Sequence, residues 1–242
     1  EENSFVRMYA AEAIGAMKKP ESLPILIDLF ESSDPNFRVY VIKGISNYDS
    51  AEAKKVIIQG IKDAHWKVRQ ESIEAVERMN ITEAVPYIIY RAKNDPENVI
   101  KEKAYQVLSK LNSSEANDYL IETITSKKGT DAAKNKACEA LLKNTKAGQK
   151  EIAELAVELA GDDKRKPFRY TVGKLIAKYP DSEFSVVCEA FLQSKDAQTC
   201  ALGLDMFASG RYASCEAKVK EISENEKAGA NYKKARKILQ IE

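Results

Sequence analysis

Val68-Arg69-Gln70-Glu71-Ser72-Ile73-Glu74-Ala75-Val76, with Met79 after it, sets small or apolar residues three, four, six, seven and ten positions after Arg69. That spacing is one face of an amphipathic helix; a strand would alternate at every second residue. The same frame stands at Arg7 (Ala10, Ala11, Ala13, Ile14, Met17) and at Arg38, in Phe37-Arg38-Val39 through Ile45. It continues, less strictly, from Lys101, Lys134, Arg169, Cys200 and Tyr232. Successive anchors lie 31, 31, 32, 33, 35, 31 and 32 residues apart. A period of that length signals a repeat architecture, in which each unit is one supersecondary element.

About 19 residues after each anchor an apolar pair recurs: Leu26-Ile27, Ile57-Ile58, Ile88-Ile89 and Leu120-Ile121. Break signals precede or follow these pairs, among them Lys19-Pro20, Asn47-Tyr48-Asp49-Ser50, Asn112-Ser113-Ser114 and Tyr179-Pro180-Asp181. Each unit therefore reads as two helices joined by a short turn. No segment alternates at period two, so the expected fold is all-α: seven helix pairs and a terminal helix in one domain over residues 1–242. The units fall at about 4–34, 35–64, 65–96, 97–128, 129–163, 164–196 and 197–229, with a half unit at 230–242. Small residues at Ala13, Gly44, Ala75 and Ala140 are expected where helices cross. Asp28, Asp34, Asp63, Asp95 and Asp162/Asp163 are expected near junctions where a carboxylate can cap the first backbone N–H groups of a helix.

Asp63 through Val76, and next to it Asp34 through Ile45, resemble HEAT repeats of the short bacterial kind found in phycobilisome lyases. The likeness is regular to residue 128 and weaker from 129 to 242, where Lys134, Cys200 and Tyr232 take the arginine position. It implies a right-handed α-solenoid whose second helices line a concave side. It also implies a ladder of aspartate–arginine pairs that gives Arg7, Arg38 and Arg69 structural roles.

Chemistry is sparse. The single histidine, His65, precludes a multi-histidine metal site, and the repeated His-Glu pairs of HEAT-like iron hydroxylases are missing. No Ser or Cys stands near His65 in sequence to be activated by it, and no phosphate-binding glycine loop is present. No catalytic residue, metal ligand or cofactor is expected. The cysteines, Cys138, Cys188, Cys200 and Cys215, lack CxxC spacing and read as small apolar core residues. A disulfide such as Cys200–Cys215 would require an exported chain.

With 38 basic and 37 acidic residues, no global field draws the chain to nucleic acid or anionic lipid. No apolar run approaches the ~18 residues of a membrane span. Cytoplasmic localisation is favoured, with export the alternative if a leader precedes residue 1. The last helix, with Lys233, Lys234, Arg236 and Lys237 outward, reads as a polar end cap, whereas Phe5, Met8 and Tyr9 leave the first unit uncapped. A fragment of a longer array would have that pattern.

The expected function is a non-catalytic scaffold that presents its concave face to a protein or peptide. Outward positions of the second helices, Gln59, Tyr87, Tyr90, Arg91 and Glu122, are the candidate contact residues, since Tyr and Arg are enriched at binding hot spots. The alternative is nucleic-acid binding through the basic stretch Lys164, Arg165, Lys166, Arg169, Lys174 and Lys178, which has Phe168 and Tyr170 interleaved.

Overall fold

A computed structural model describes residues 2–241. In chain order the helix pairs are α1 (Glu2–Ala16) with α2 (Ser22–Leu29), α3 (Pro35–Ile45) with α4 (Ala51–Gly60), and α5 (Trp66–Met79) with α6 (Val85–Asn94). They continue as α7 (Asn98–Leu111) with α8 (Ser114–Thr125), α9 (Asp131–Asn144) with α10 (Gln149–Ala160), and α11 (Lys166–Lys178) with α12 (Ser185–Leu192). The last are α13 (Ala197–Gly210) with α14 (Glu216–Glu224), then α15 (Ala230–Leu239) alone. Short 3-10 turns lead into several second helices, and no strand occurs among the described residues. The chain forms two compact units, residues 1–116 and 117–242.

In the first unit α1, α3, α5 and α7 pack as successive neighbours, while α2, α4 and α6 each lie against their own or the next first helix. The apolar pairs explain why. Leu26, Ile57 and Ile88 are fully buried, and the second member of each pair is half-buried at the helix flank. Each buried aliphatic side chain contributes roughly 1.5–3 kcal/mol. Helices α1 and α3 cross closely: a Cβ added to Gly44 would stand 2.7 Å from the Ala11 carbonyl oxygen. A side chain there would push the two helices apart.

In the second unit α9, α11, α13 and α15 repeat the arrangement, with α10, α12 and α14 behind them. Its core centres on Phe184, Phe191, Val172, Ile176 and Leu204, all fully buried. Helix ends follow local chemistry in both units. Asn80 and Asn112 close α5 and α7 in the left-handed conformation that asparagine tolerates, and Ser50 and Thr130 cap α4 and α9 through their hydroxyls.

Candidate functional site

The anchor arginines of the first unit are bound to the aspartates that precede the next first helix. Arg38 grips Asp63 through two hydrogen bonds of 2.9 and 2.8 Å, and Arg69 grips Asp95 at 2.7 and 2.8 Å. Arg7 lies 3.6 Å from Asp34 in a more exposed pair. Each carboxylate also accepts from the backbone of the coming helix: Asp34 from Asn36 N–H, Asp63 from His65 N–H and Asp95 from Glu97 N–H. One aspartate thus orders a helix start and fastens it to the pair before it. The Arg69–Asp95 rung is buried, and Arg69 donates further to the carbonyls of Asp63 and Ala64. Buried charge survives only when satisfied in this way.

Tyr87, Tyr90 and Arg91 come together on α6. Tyr87 and Tyr90 are exposed, with the Lys62 ammonium over the Tyr87 ring and the Arg91 guanidinium over that of Tyr90. Arg91 is half-buried; it donates to the Ile61 carbonyl at 2.8 Å and lies 3.5 Å from Asp95. Burial lowers its pKa against the opposing pull of Asp95. Arg91 therefore spends part of its donor capacity on the fold. Tyr87 also walls a groove of about 470 Å³ with Ile58, Lys54, Lys55 and Glu83. Gln59 is exposed on α4 but does not line that groove, and Glu122 is exposed on α8 within the second unit.

Half of the basic stretch, Arg165, Lys166 and Arg169, is neutralised. Arg169 is fully buried; it lies 3.4 Å from Asp163 and 3.6 Å from Asp196 and donates to the carbonyls of Leu159 and Ala160. Arg165 pairs with Asp131 at 2.6 Å, and Lys166 with Asp196 at 3.3 Å and Asp163 at 3.5 Å. Lys164, Lys174 and Lys178 remain exposed. Asp196 is the hub: Thr199 donates through its hydroxyl and backbone N–H, Tyr170 through its phenol, and Lys166 through its ammonium. These bonds, Thr199 foremost, hold its carboxyl well below the usual range.

The groove between α10 and α12 was missed by repeat reading. It measures about 800 Å³ and is lined by Val157, Val186, Ala153, Glu154, Glu158 and Glu183 among others. The signal was present: Val157 stands outside the buried stripe of α10, which runs Ile152, Ala153, Leu155, Ala156, Leu159. An aliphatic residue off the stripe has no core to enter, and Val157 is 41% exposed.

Nucleophile chemistry finds little support. The four cysteines are free and buried, and burial pushes the Cys138 thiol up to about 12. Burial, with the neighbouring Cys215 thiol next in weight, also raises that of Cys188. Such thiols stay protonated at neutral pH. His65 caps α5 by accepting from Lys67 N–H through Nδ1 and stacks on Trp66. Among the described residues no group of three His, Cys, Asp or Glu could hold a metal, and no helix is long and apolar enough to cross a membrane.

The sequence profile of the spirochaete HEAT repeat proteins matches residues 1–238. The chain belongs to that family. Among solved structures, this HEAT-repeat chain is similar to an archaeal HEAT-like repeats protein from Thermococcus onnurineus NA1, at 14% identity over 97% of this chain and 91% of that one, TM-score 0.43. It is also similar to an engineered protein, at 12% identity over 90% of this chain and 96% of that one, TM-score 0.28. No curated protein sequence matches it. The HEAT-repeat fold is consistent with a scaffold or interaction role.

Proposed function

We infer that the protein is a non-catalytic interaction scaffold that binds a protein or peptide along the open faces of its second helices. The observation that carries this reading is the pair of grooves between consecutive second helices, one in each unit. In one, Tyr87 and Ile58 offer apolar surface; in the other, Val157 and Val186 do. Second helices leave Tyr87, Val157 and Val186 exposed along these grooves, as docking surfaces require. Tyr87 and Tyr90 add the aromatic area that interface hot spots favour. Placement of these faces on a concave side, as HEAT-repeat curvature implies, belongs to the same proposal.

Nucleic-acid binding through residues 164–178 is the weaker reading, because Arg165, Lys166 and Arg169 already face carboxylates. Phosphate contacts would have to displace those partners. The deciding experiment places a photo-crosslinking amino acid at Tyr87 and at Val186 of the full chain, with Gln106 on α7 as control, in native extract. Reproducible protein adducts at the two groove positions, lost on Tyr90→Glu and Val157→Asp respectively, are expected. Adducts to nucleic acid alone, or protein adducts equal at Gln106, would sink the scaffold reading.

A further inference from the structure

We propose that the groove between α10 and α12 receives a basic amphipathic segment of a partner protein, a proposal that rests on the scaffold reading and narrows it. The groove has an apolar floor and an acidic rim. Val157 is 41% exposed and Val186 52% exposed, facing the groove together with Ala153. Glu154 and Glu158 stand on the α10 side and Glu183 on the other, all three exposed, with Lys150 the one cation among the lining residues and the Arg165 guanidinium 3.9 Å from Glu158 at the edge.

Spacing supplies the shape of the ligand. Ala153 and Val157 are four residues apart on α10, and so are Glu154 and Glu158, so an apolar row and a carboxylate row run side by side along the helix. A complementary segment carries apolar anchors at helical spacing with Lys or Arg beside them, the mode in which an amphipathic helix lays its apolar face in a groove. A volume of about 800 Å³ takes the anchoring side chains of such a helix and leaves its backbone outside.

Sign selectivity is local to this groove. Residues 117–242 hold 22 Lys/Arg and 19 Asp/Glu, a net of +3, so three carboxylates against one ammonium stand out from their own unit. The groove at Tyr87 is lined by Asp49 and Glu83 against Lys54 and Lys55, which cancel. Phosphate-bearing ligands are disfavoured at the acidic rim, while a cationic segment is drawn to it at a rate that salt reduces.

The test uses the full chain and two synthetic helical peptides with one apolar face in common, one flanked by lysines and the other by glutamates. Binding is read by fluorescence anisotropy at low and physiological salt, and backbone NMR shifts locate it. The lysine peptide is expected to bind, shifting residues of α10 and α12, and the glutamate peptide to bind at least ~10-fold more weakly. Val157→Asp and Val186→Asp, both at exposed positions, should abolish lysine-peptide binding with helicity by circular dichroism unchanged. Glu154→Lys combined with Glu158→Lys should invert the preference between the peptides. Equal binding of both peptides, binding to neither, or a preference untouched by the charge reversal overturns the proposal. Groove-specific crosslinks at Val186 that persist in any of those cases would leave the scaffold reading standing and remove only the basic partner.

Discussion

The Arg69–Asp95 rung of the first unit and the Arg169 site of the second solve one problem differently. Both bury a guanidinium beside the start of the next first helix. Arg69 has one carboxylate, gripped at 2.7 and 2.8 Å, and two carbonyls. Arg169 divides itself between Asp163 at 3.4 Å and Asp196 at 3.6 Å, and its Nε has no hydrogen-bond partner among the described residues. Where the repeat is regular, one bidentate pair suffices. Where it is degenerate, Tyr170, Thr199 and Lys166 share the aspartate, and the load is spread over a network.

Truncation should separate the two sites most clearly. Arg69→Ala leaves the buried Asp95 with Arg91 at 3.5 Å as its cation, and should cost about 3–5 kcal/mol in urea unfolding. Replacing both partners, Arg69→Met with Asp95→Leu, should recover most of that loss. A single variant that costs under ~1 kcal/mol would show that the rung is not a stability element. Arg169→Ala should cost less, about 1–3 kcal/mol, because Asp163 is solvent-exposed and Asp196 keeps its other donors. Equal losses at the two sites would erase the distinction drawn between them.

Acid provides a third measurement. The Asp196 carboxyl is depressed in the folded state relative to ~3.9 when unfolded. Its contribution is therefore present above about pH 4 and is lost as pH falls through the folded value. Urea midpoints followed downward from neutral pH should fall more steeply for the native chain than for Asp196→Asn. Parallel curves would mean that the hub does not hold the proton off Asp196. The smallest effect is expected at Arg7→Ala, under ~1 kcal/mol, since that pair is 3.6 Å apart and the arginine side chain is 56% exposed.

Much of the fold was legible because helices are local. Period, break residues and apolar pairs follow from chain chemistry within a few residues, and the seven pairs stand where those signals lie. Burial was less legible, and α1 shows why. Phe37, Val41 and Gly44 on α3, with Tyr48 just beyond it, are buried, and their in-frame counterparts Val6, Ala10 and Ala13 on α1, with Met17 just beyond it, are exposed. The pattern is the same; the difference is whether a neighbouring helix lies over it. Ala13, expected at a crossing, is therefore open, and the contact with Gly44 is made by Ala11 and Gly15 on another side of α1.

The candidate site divides in the same way. Tyr87 and Tyr90 were readable as outward positions because helix phase dictates them. The pairing of Arg165 with Asp131, and of Lys166 and Arg169 with Asp196, was not readable, since those aspartates lie 34, 30 and 27 residues away from the cations they meet. By itself the sequence determined the helix pairs and their caps, consequences of short-range backbone and capping chemistry, while the arginine–aspartate ladder followed from the family resemblance. Only the tertiary structure decided which charges cancel and that Val157 and Val186 share an acidic-rimmed groove. Those outcomes depend on how side chains from different helices approach, which no local spacing encodes.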